Sequence, residues 1–77
     1  MASPDQVAQW MWDELQKQGY LTEEWVSHEI QQRFGAGHTY YNNSGNLTIK
    51  ESVRRKFRQL CLGKAQWYFR ENTWRML

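Results

Sequence analysis

The chain has 77 residues with five Trp, four Tyr, three Phe, one Cys, two His and a net charge of +2. This length fits a single domain, which we predict over residues 1–77. A lone cysteine excludes an intrachain disulfide, and one cysteine with two histidines lacks the four ligands of a structural zinc site.

The first predicted element is a helix that begins after Ser3. Ser3, Pro4 and Gln6 match a capping box, with a hydroxyl before the helix, proline at its first position and glutamine at its third. Gly19 is placed to end the helix. Trp10 points away from the apolar face. That face consists of Val7, Ala8, Met11, Trp12 and Leu15.

A second helix is predicted after Tyr20–Leu21, which is either a short link or a minimal strand. Thr22 can cap this helix, and the two glutamates after it lie where the helix dipole favours acids. Trp25 lies at the edge of the apolar stripe. The stripe consists of Val26, Ile30 and Phe34.

The segment between the second and third helices has strand-like composition at residues 38–41, so we predict an extra short strand there. Asn42–Asn46 is dense in residues that tolerate left-handed or self-bonding geometry, and it is predicted to turn. Leu47 is then expected to return to the core.

A third helix is predicted to open with a second capping box at Thr48–Glu51. Its inward residues are expected to be Ile49, Val53, Phe57 and Leu60. Arg54, Arg55 and Arg58 are expected on the opposite, solvated face. Gly63 lies in the region where this helix should end.

The tail is predicted to form a β-hairpin from residues 66–69 and 73–76 around a turn at Arg70–Asn72. A two-stranded hairpin is marginal alone, so it should pack on the helices or pair with residues 38–41. The predicted class is therefore α+β, with three helices and a C-terminal hairpin. This order is similar to that of winged-helix proteins, although the connection from Gly35 to Leu47 is longer than a helix-turn-helix has.

A second resemblance depends on a pattern that spans most of the chain. The sequence resembles a small bacterial domain family of unknown function. This resemblance supports the predicted fold but implies nothing about catalytic chemistry. The residues that carry it are Phe34-Gly35, Tyr41-x-Asn43-x-Gly45-Asn46-x-x-Ile49, Val53-x-x-x-Phe57-Arg58, and the terminal Trp67 and Trp74-Arg75.

Catalytic chemistry has little basis in this sequence. The only histidines that could act as a general base are His28 and His38. Cys61 lies at the apolar boundary of the third helix, where a thiol usually behaves as a small hydrophobe. There is no glycine loop for phosphate and no zinc spacing. We predict no enzyme activity, no cofactor and no metal.

Charge is divided unevenly along the chain. Residues 1–30 hold six acids and one base (−5), whereas residues 31–77 hold nine bases and two acids (+7). Our first hypothesis is nucleic-acid binding, because basic side chains on one helix can contact phosphates. The alternatives are that the charges only solvate a helix face, or that the two halves attract each other. The residues of this hypothesis are Lys50, Arg54, Arg55, Arg58 and Arg70.

The tryptophans support a second hypothesis, a protein-interaction or accessory domain that binds a partner or forms a homodimer. Trp10 and Trp25 fit the buried faces poorly, flank the corner between the first two helices, and could form an exposed patch there. No apolar run is long enough for a membrane span or a signal peptide. We therefore expect no membrane partner and a cytoplasmic location.

Overall fold

A computed structural model describes residues 2–77. It confirms the predicted α+β class, with three helices and a C-terminal hairpin. The elements in chain order are α1 (Pro4–Gln18), β1 (Tyr20–Thr22), α2 (Glu23–Phe34), a 3-10 turn (Ala36–His38), β2 (Thr39–Tyr41), β3 (Leu47–Ile49), α3 (Glu51–Cys61), β4 (Ala65–Tyr68) and β5 (Thr73–Met76).

Helix α1 begins and ends as its local signals predict. The Ser3 hydroxyl accepts a hydrogen bond from the Gln6 amide at 3.2 Å, and the Gln6 side chain accepts one from the Ser3 amide at 2.8 Å. At the other end, Gly19 has a φ of 83° and its amide donates to the Leu15 carbonyl at 2.7 Å. Glycine adopts this left-handed conformation without the steric penalty of a Cβ.

The C-terminal hairpin is part of a three-stranded antiparallel sheet in the order β1–β5–β4. Trp74 of the central strand lies between Leu21 of β1 and Trp67 of β4. Tyr20–Leu21 is therefore in a strand. The hairpin packs on the helices, as one predicted alternative required, and the other alternative, pairing with residues 38–41, is wrong. Those residues pair elsewhere, which leaves β1 as the partner of the hairpin.

The predicted strand at residues 38–41 exists as β2, and it forms a separate hairpin with β3. The loop between them is held by Asn42, whose side-chain oxygen accepts hydrogen bonds from the amides of Ser44 and Asn46, both at 3.0 Å. Gly45 in this loop has a φ of 83°. The Asn-rich turn of the sequence pattern is therefore a self-bonded hairpin loop.

The predicted start of the third helix at Thr48 is wrong. Thr48 and Ile49 belong to β3, and helix α3 begins at Glu51 after Lys50, which makes no side-chain capping hydrogen bond. Pairing with β2 places Thr48 opposite Tyr40 and Ile49 opposite Thr39, which outweighs the local capping signal. Ile49 is buried as expected, but it reaches the core from a strand.

The core lies between the three helices and the inner face of the three-stranded sheet, and Ile49 of β3 joins it. Phe57 of α3 contacts Trp74 of β5 edge to face, with ring centroids 5.2 Å apart. Leu60, which was expected to face inward, is only partly buried. The buried apolar residues are Val7, Ala8, Met11, Trp12, Leu15, Leu21, Val26, Ile30, Leu47, Ile49, Val53, Phe57, Cys61 and Trp74.

Candidate functional site

The predicted basic face of α3 is not formed by all of its arginines. Arg55 and Arg58 are exposed on the helix, and Lys50 is exposed just before it. Arg54 is instead partly buried, with 23% of its side chain accessible. Arg70 is exposed but lies in the turn between β4 and β5, on a different element.

Arg54 joins three elements of the fold. Its Nη2 donates to the carboxylate of Glu23 and to the hydroxyl of Thr48 at 2.9 Å, and its Nε donates to the Ile49 carbonyl at 3.2 Å. The Thr48 hydroxyl also donates to Glu23 at 3.3 Å. Burial lowers the pKa of Arg54, and the charge of Arg58 lowers it further. The expectation that this guanidinium is solvated is therefore wrong.

The remaining arginines on α3 keep their charge at the surface. Arg58 lies 3.6 Å from Glu51, with both side chains mostly exposed, so this ion pair contributes little and is screened by salt. Within residues 2–77, no carboxylate lies within 4.0 Å of the Arg55 guanidinium. The sequence therefore predicted this part of the basic face correctly, without Arg54.

A groove of about 300 Å³ opens between α3 and β4. Its walls come from α3, from the loop after it and from β4, and its floor is aromatic. Trp67 and Trp74 contact each other there, with ring centroids 4.5 Å apart. The residues that line it are Arg54, Phe57, Arg58, Cys61, Leu62, Gly63, Ala65, Trp67 and Trp74.

The chemistry of this groove is apolar with cationic walls. Leu62 is 78% exposed beside the opening, and Trp67 is only partly buried. The described residues that line the groove include no aspartate or glutamate. Such a surface can contact an apolar side chain and an anionic group at the same time.

A second groove, of about 690 Å³, lies where the start of α2 meets the β2–β3 loop and the β4–β5 turn. It is polar and carries Glu23, Glu24, Glu71, His28 and Tyr41 among its lining residues. Two of the carboxylates already have partners in the chain: Glu23 binds Arg54, and Glu71 accepts from Arg75 at 2.8 Å. That hydrogen bond raises the pKa of Arg75.

The structure brings Trp10 and Trp25 together at the corner between α1 and α2. Their rings are stacked with centroids 6.2 Å apart, and Phe34 contacts Trp10 edge to face at 5.8 Å. The Arg33 guanidinium lies 5.2 Å from the Trp10 ring centre. Trp25 is 39% exposed, whereas Trp10 is packed partly against the core.

The described residues contain no group of three His, Cys, Asp or Glu that could hold a metal ion. Cys61 is buried, and this burial raises the pKa of its thiol. His38 is buried in the 3-10 turn, whereas His28 is exposed on α2. Within residues 2–77, no helix has both the length and the apolar character needed to cross a membrane.

The profile of a family of unknown function, DUF6953, matches residues 3–76. The chain belongs to this family. The match confirms the resemblance to a family without an assigned activity. No curated protein and no solved structure matches the chain, so the similarity to the winged-helix order is not confirmed.

The groove between α3 and β4 was not predicted from the sequence. Arg54 and Arg58 were expected on a solvated helix face and Trp67 in the C-terminal hairpin, whereas all three line one opening. The only local signal was the short segment at residues 62–64, which brings the end of α3 next to the start of β4.

Proposed function

We propose that this member of DUF6953 is a non-catalytic module that binds another protein through the groove between α3 and β4. The observation that supports this most directly is the aromatic floor of the groove, with Arg58 on its wall. Interface centres are enriched in Trp and Arg, because these side chains combine a large contact area with directional hydrogen bonding. The exposed Leu62 extends this apolar surface.

Nucleic-acid binding is the second candidate, now with a smaller set of residues. The outward side chains of Arg55 and Arg58 support it, together with Lys50 and Arg70. Affinity for phosphates rises with the number of free cations, because each contact releases counterions. Since Glu23 already holds Arg54, one expected contact is lost, and the protein ligand becomes the better supported of the two.

Selection from a displayed library of random peptides tests the first candidate. We expect binders that lose at least about tenfold in affinity for the variant Leu62→Ser. Phe69→Ser is the matched control, because Phe69 is also a highly exposed apolar residue but lies in the β4–β5 turn. Binders that respond equally to both variants, or to neither, would contradict a site in this groove.

Titration with a fluorescent oligonucleotide tests the second candidate. Binding that falls steeply with salt and disappears in the Arg55→Ala/Arg58→Ala variant, with no library binder for the groove, would favour nucleic acid. A mass above that of the monomer in light scattering, lost on Trp25→Ala, would instead place the interaction at the α1–α2 corner and favour a homodimer. We also propose that the protein is cytoplasmic, which cell fractionation tests.

A further inference from the structure

The sheet has two edge strands, β1 and β4, and the edge of β4 lies beside the groove. Strand β5 is hydrogen-bonded on both sides, whereas β4 pairs only with β5, and no other strand of residues 2–77 lies against its far side. An edge strand presents unpaired backbone N–H and C=O groups, to which an extended chain can bond.

The register shows which backbone groups are free. The Leu77 amide donates to the Lys64 carbonyl at 3.0 Å, and Gln66 lies opposite Arg75. Because hydrogen-bonded residues alternate along an antiparallel pair, Gln66 bonds to β5 whereas the backbone of Ala65 and Trp67 points to the open side. The side chains of these two residues also line the groove, so backbone partners and an apolar surface occur together.

Three of the usual devices that protect edge strands from pairing are missing from β4. Natural edges are often blocked by proline, by a charged side chain that points inward, or by a bulge. The sequence of β4 is Ala-Gln-Trp-Tyr, without proline or a charge, and its register with β5 is continuous. A bound segment could therefore continue the sheet.

The charge beside the edge selects the sequence of such a segment. Arg58 lines the groove with 66% of its side chain exposed, and its nearest carboxylate partner is held only at 3.6 Å. Lys64, just before β4, is also exposed. An acidic side chain on the bound segment would replace the weak pairing of Arg58 with a closer one.

We infer that the ligand of the groove is an extended, acidic peptide segment that adds to β4 as a fourth strand and places a carboxylate at Arg58. This inference rests on the proposed protein-binding function. A second copy of this chain fits the site less well. Antiparallel pairing of two β4 strands about a two-fold axis puts both α3 helices on the same side of the joined sheets, so Arg58 of one copy would face its like charge.

Calorimetry with synthetic peptides of about eight residues, a length typical of strands, tests the inference. The parent peptide alternates Thr and Val around one central Glu, and two matched peptides carry Gln or Lys at that central position. We expect the Glu peptide to bind about tenfold more tightly than the Lys peptide. Arg58→Gln should remove most of this preference, whereas Arg55→Gln is a control on the same helix outside the groove and should retain it.

Backbone pairing is tested with the same peptides. Only every second amide of an added strand faces β4. N-methylation of those peptide amides should therefore abolish binding, whereas N-methylation of the amides in between should preserve it. The amides of Ala65 and Trp67 should become protected from hydrogen exchange. Binding without this protection, or a preference for Glu that survives Arg58→Gln, would overturn the inference.

The outcomes separate this inference from the proposed function. Library binders that depend on Leu62 but are indifferent to N-methylation and to charge would support the protein-binding function and refute strand addition. The absence of any binder that depends on Leu62 would refute both. If the amides of Ala65 and Trp67 become protected as protein concentration rises without peptide, and the mass doubles, the occupant of the edge is a second copy of the chain and not a peptide. Displacement of bound peptide by single-stranded DNA would favour nucleic acid as the ligand.

Discussion

Removal of the Arg54 guanidinium should destabilise the fold, although its charge suggests a surface residue. Arg54→Met removes the guanidinium and keeps much of the apolar stem. It leaves the Glu23 carboxylate without its cation and removes the donors to Thr48 and Ile49. It also removes a cation that lies 5.7 Å from the Trp74 ring centre.

The magnitude follows from the partial burial of this ion pair. Exposed pairs contribute up to about 1 kcal/mol, whereas loss of one partner from a buried pair costs about 3–5 kcal/mol. The accessible fractions of the two side chains are 23% for Arg54 and 16% for Glu23. We therefore expect Arg54→Met to lower the free energy of unfolding by roughly 2–3 kcal/mol, which for a domain of this size lowers Tm by roughly 10–20 °C.

Urea unfolding followed by tryptophan fluorescence measures this loss. Arg55→Met is the matched control, because Arg55 is exposed and has no carboxylate within 4.0 Å in residues 2–77, so its effect should stay within about 0.5 kcal/mol. A double-mutant cycle with Glu23→Gln should yield a coupling energy of about 1–2 kcal/mol.

Equal stability of the Arg54→Met and Arg55→Met variants would refute the assignment of Arg54 to a structural network. A coupling energy to Glu23 near zero would refute the specific pairing, even if Arg54→Met were destabilising. The first result would return Arg54 to the set of side chains available for a ligand, and the nucleic-acid hypothesis would regain its third arginine on α3.

Two further predictions concern the ends of α3. Because burial raises the pKa of Cys61, less of its thiol is ionised at a given pH. Alkylation of Cys61 by iodoacetamide at about pH 8 should be slow in the folded protein, and its rate should rise only at a higher pH than the alkylation rate of a free cysteine. An alkylation rate in the folded protein equal to that of the protein unfolded in urea would contradict this. Lys50→Asn should raise the unfolding free energy by about 0.5–1 kcal/mol, because asparagine can cap a helix that lacks a side-chain cap; no gain in urea unfolding would contradict a helix start at Glu51.

The parts of the fold that the sequence predicted well depend on neighbours in the chain. The capping box at Ser3 and the helix end at Gly19 need only residues within a turn of one another. The β4–β5 hairpin likewise joins segments separated by four residues. Local signals of this kind act on backbone geometry directly, so a linear reading is sufficient.

A local signal failed where a more distant partner competed with it. Thr48–Glu51 carries the pattern of a capping box, yet β2 pairs with Thr48 and Ile49 and draws them into a strand. Long-range packing also decided the partial burial of Arg54. Glu23 is 31 positions away along the chain, and only the packing of α2 beside β3 brings its carboxylate to the guanidinium.

Composition, the starts of α1 and α2, and the turn residues were determined by the sequence alone, because each depends on short-range geometry or on counting. The candidate site was decided by tertiary structure. Its groove joins residues of α3, β4 and β5. Its open edge exists because β1, from the first third of the chain, pairs with β5, and no strand of residues 2–77 pairs with the far side of β4. Which strand edge stays free depends on long-range pairing, and that pairing leaves no mark in the local pattern of residues.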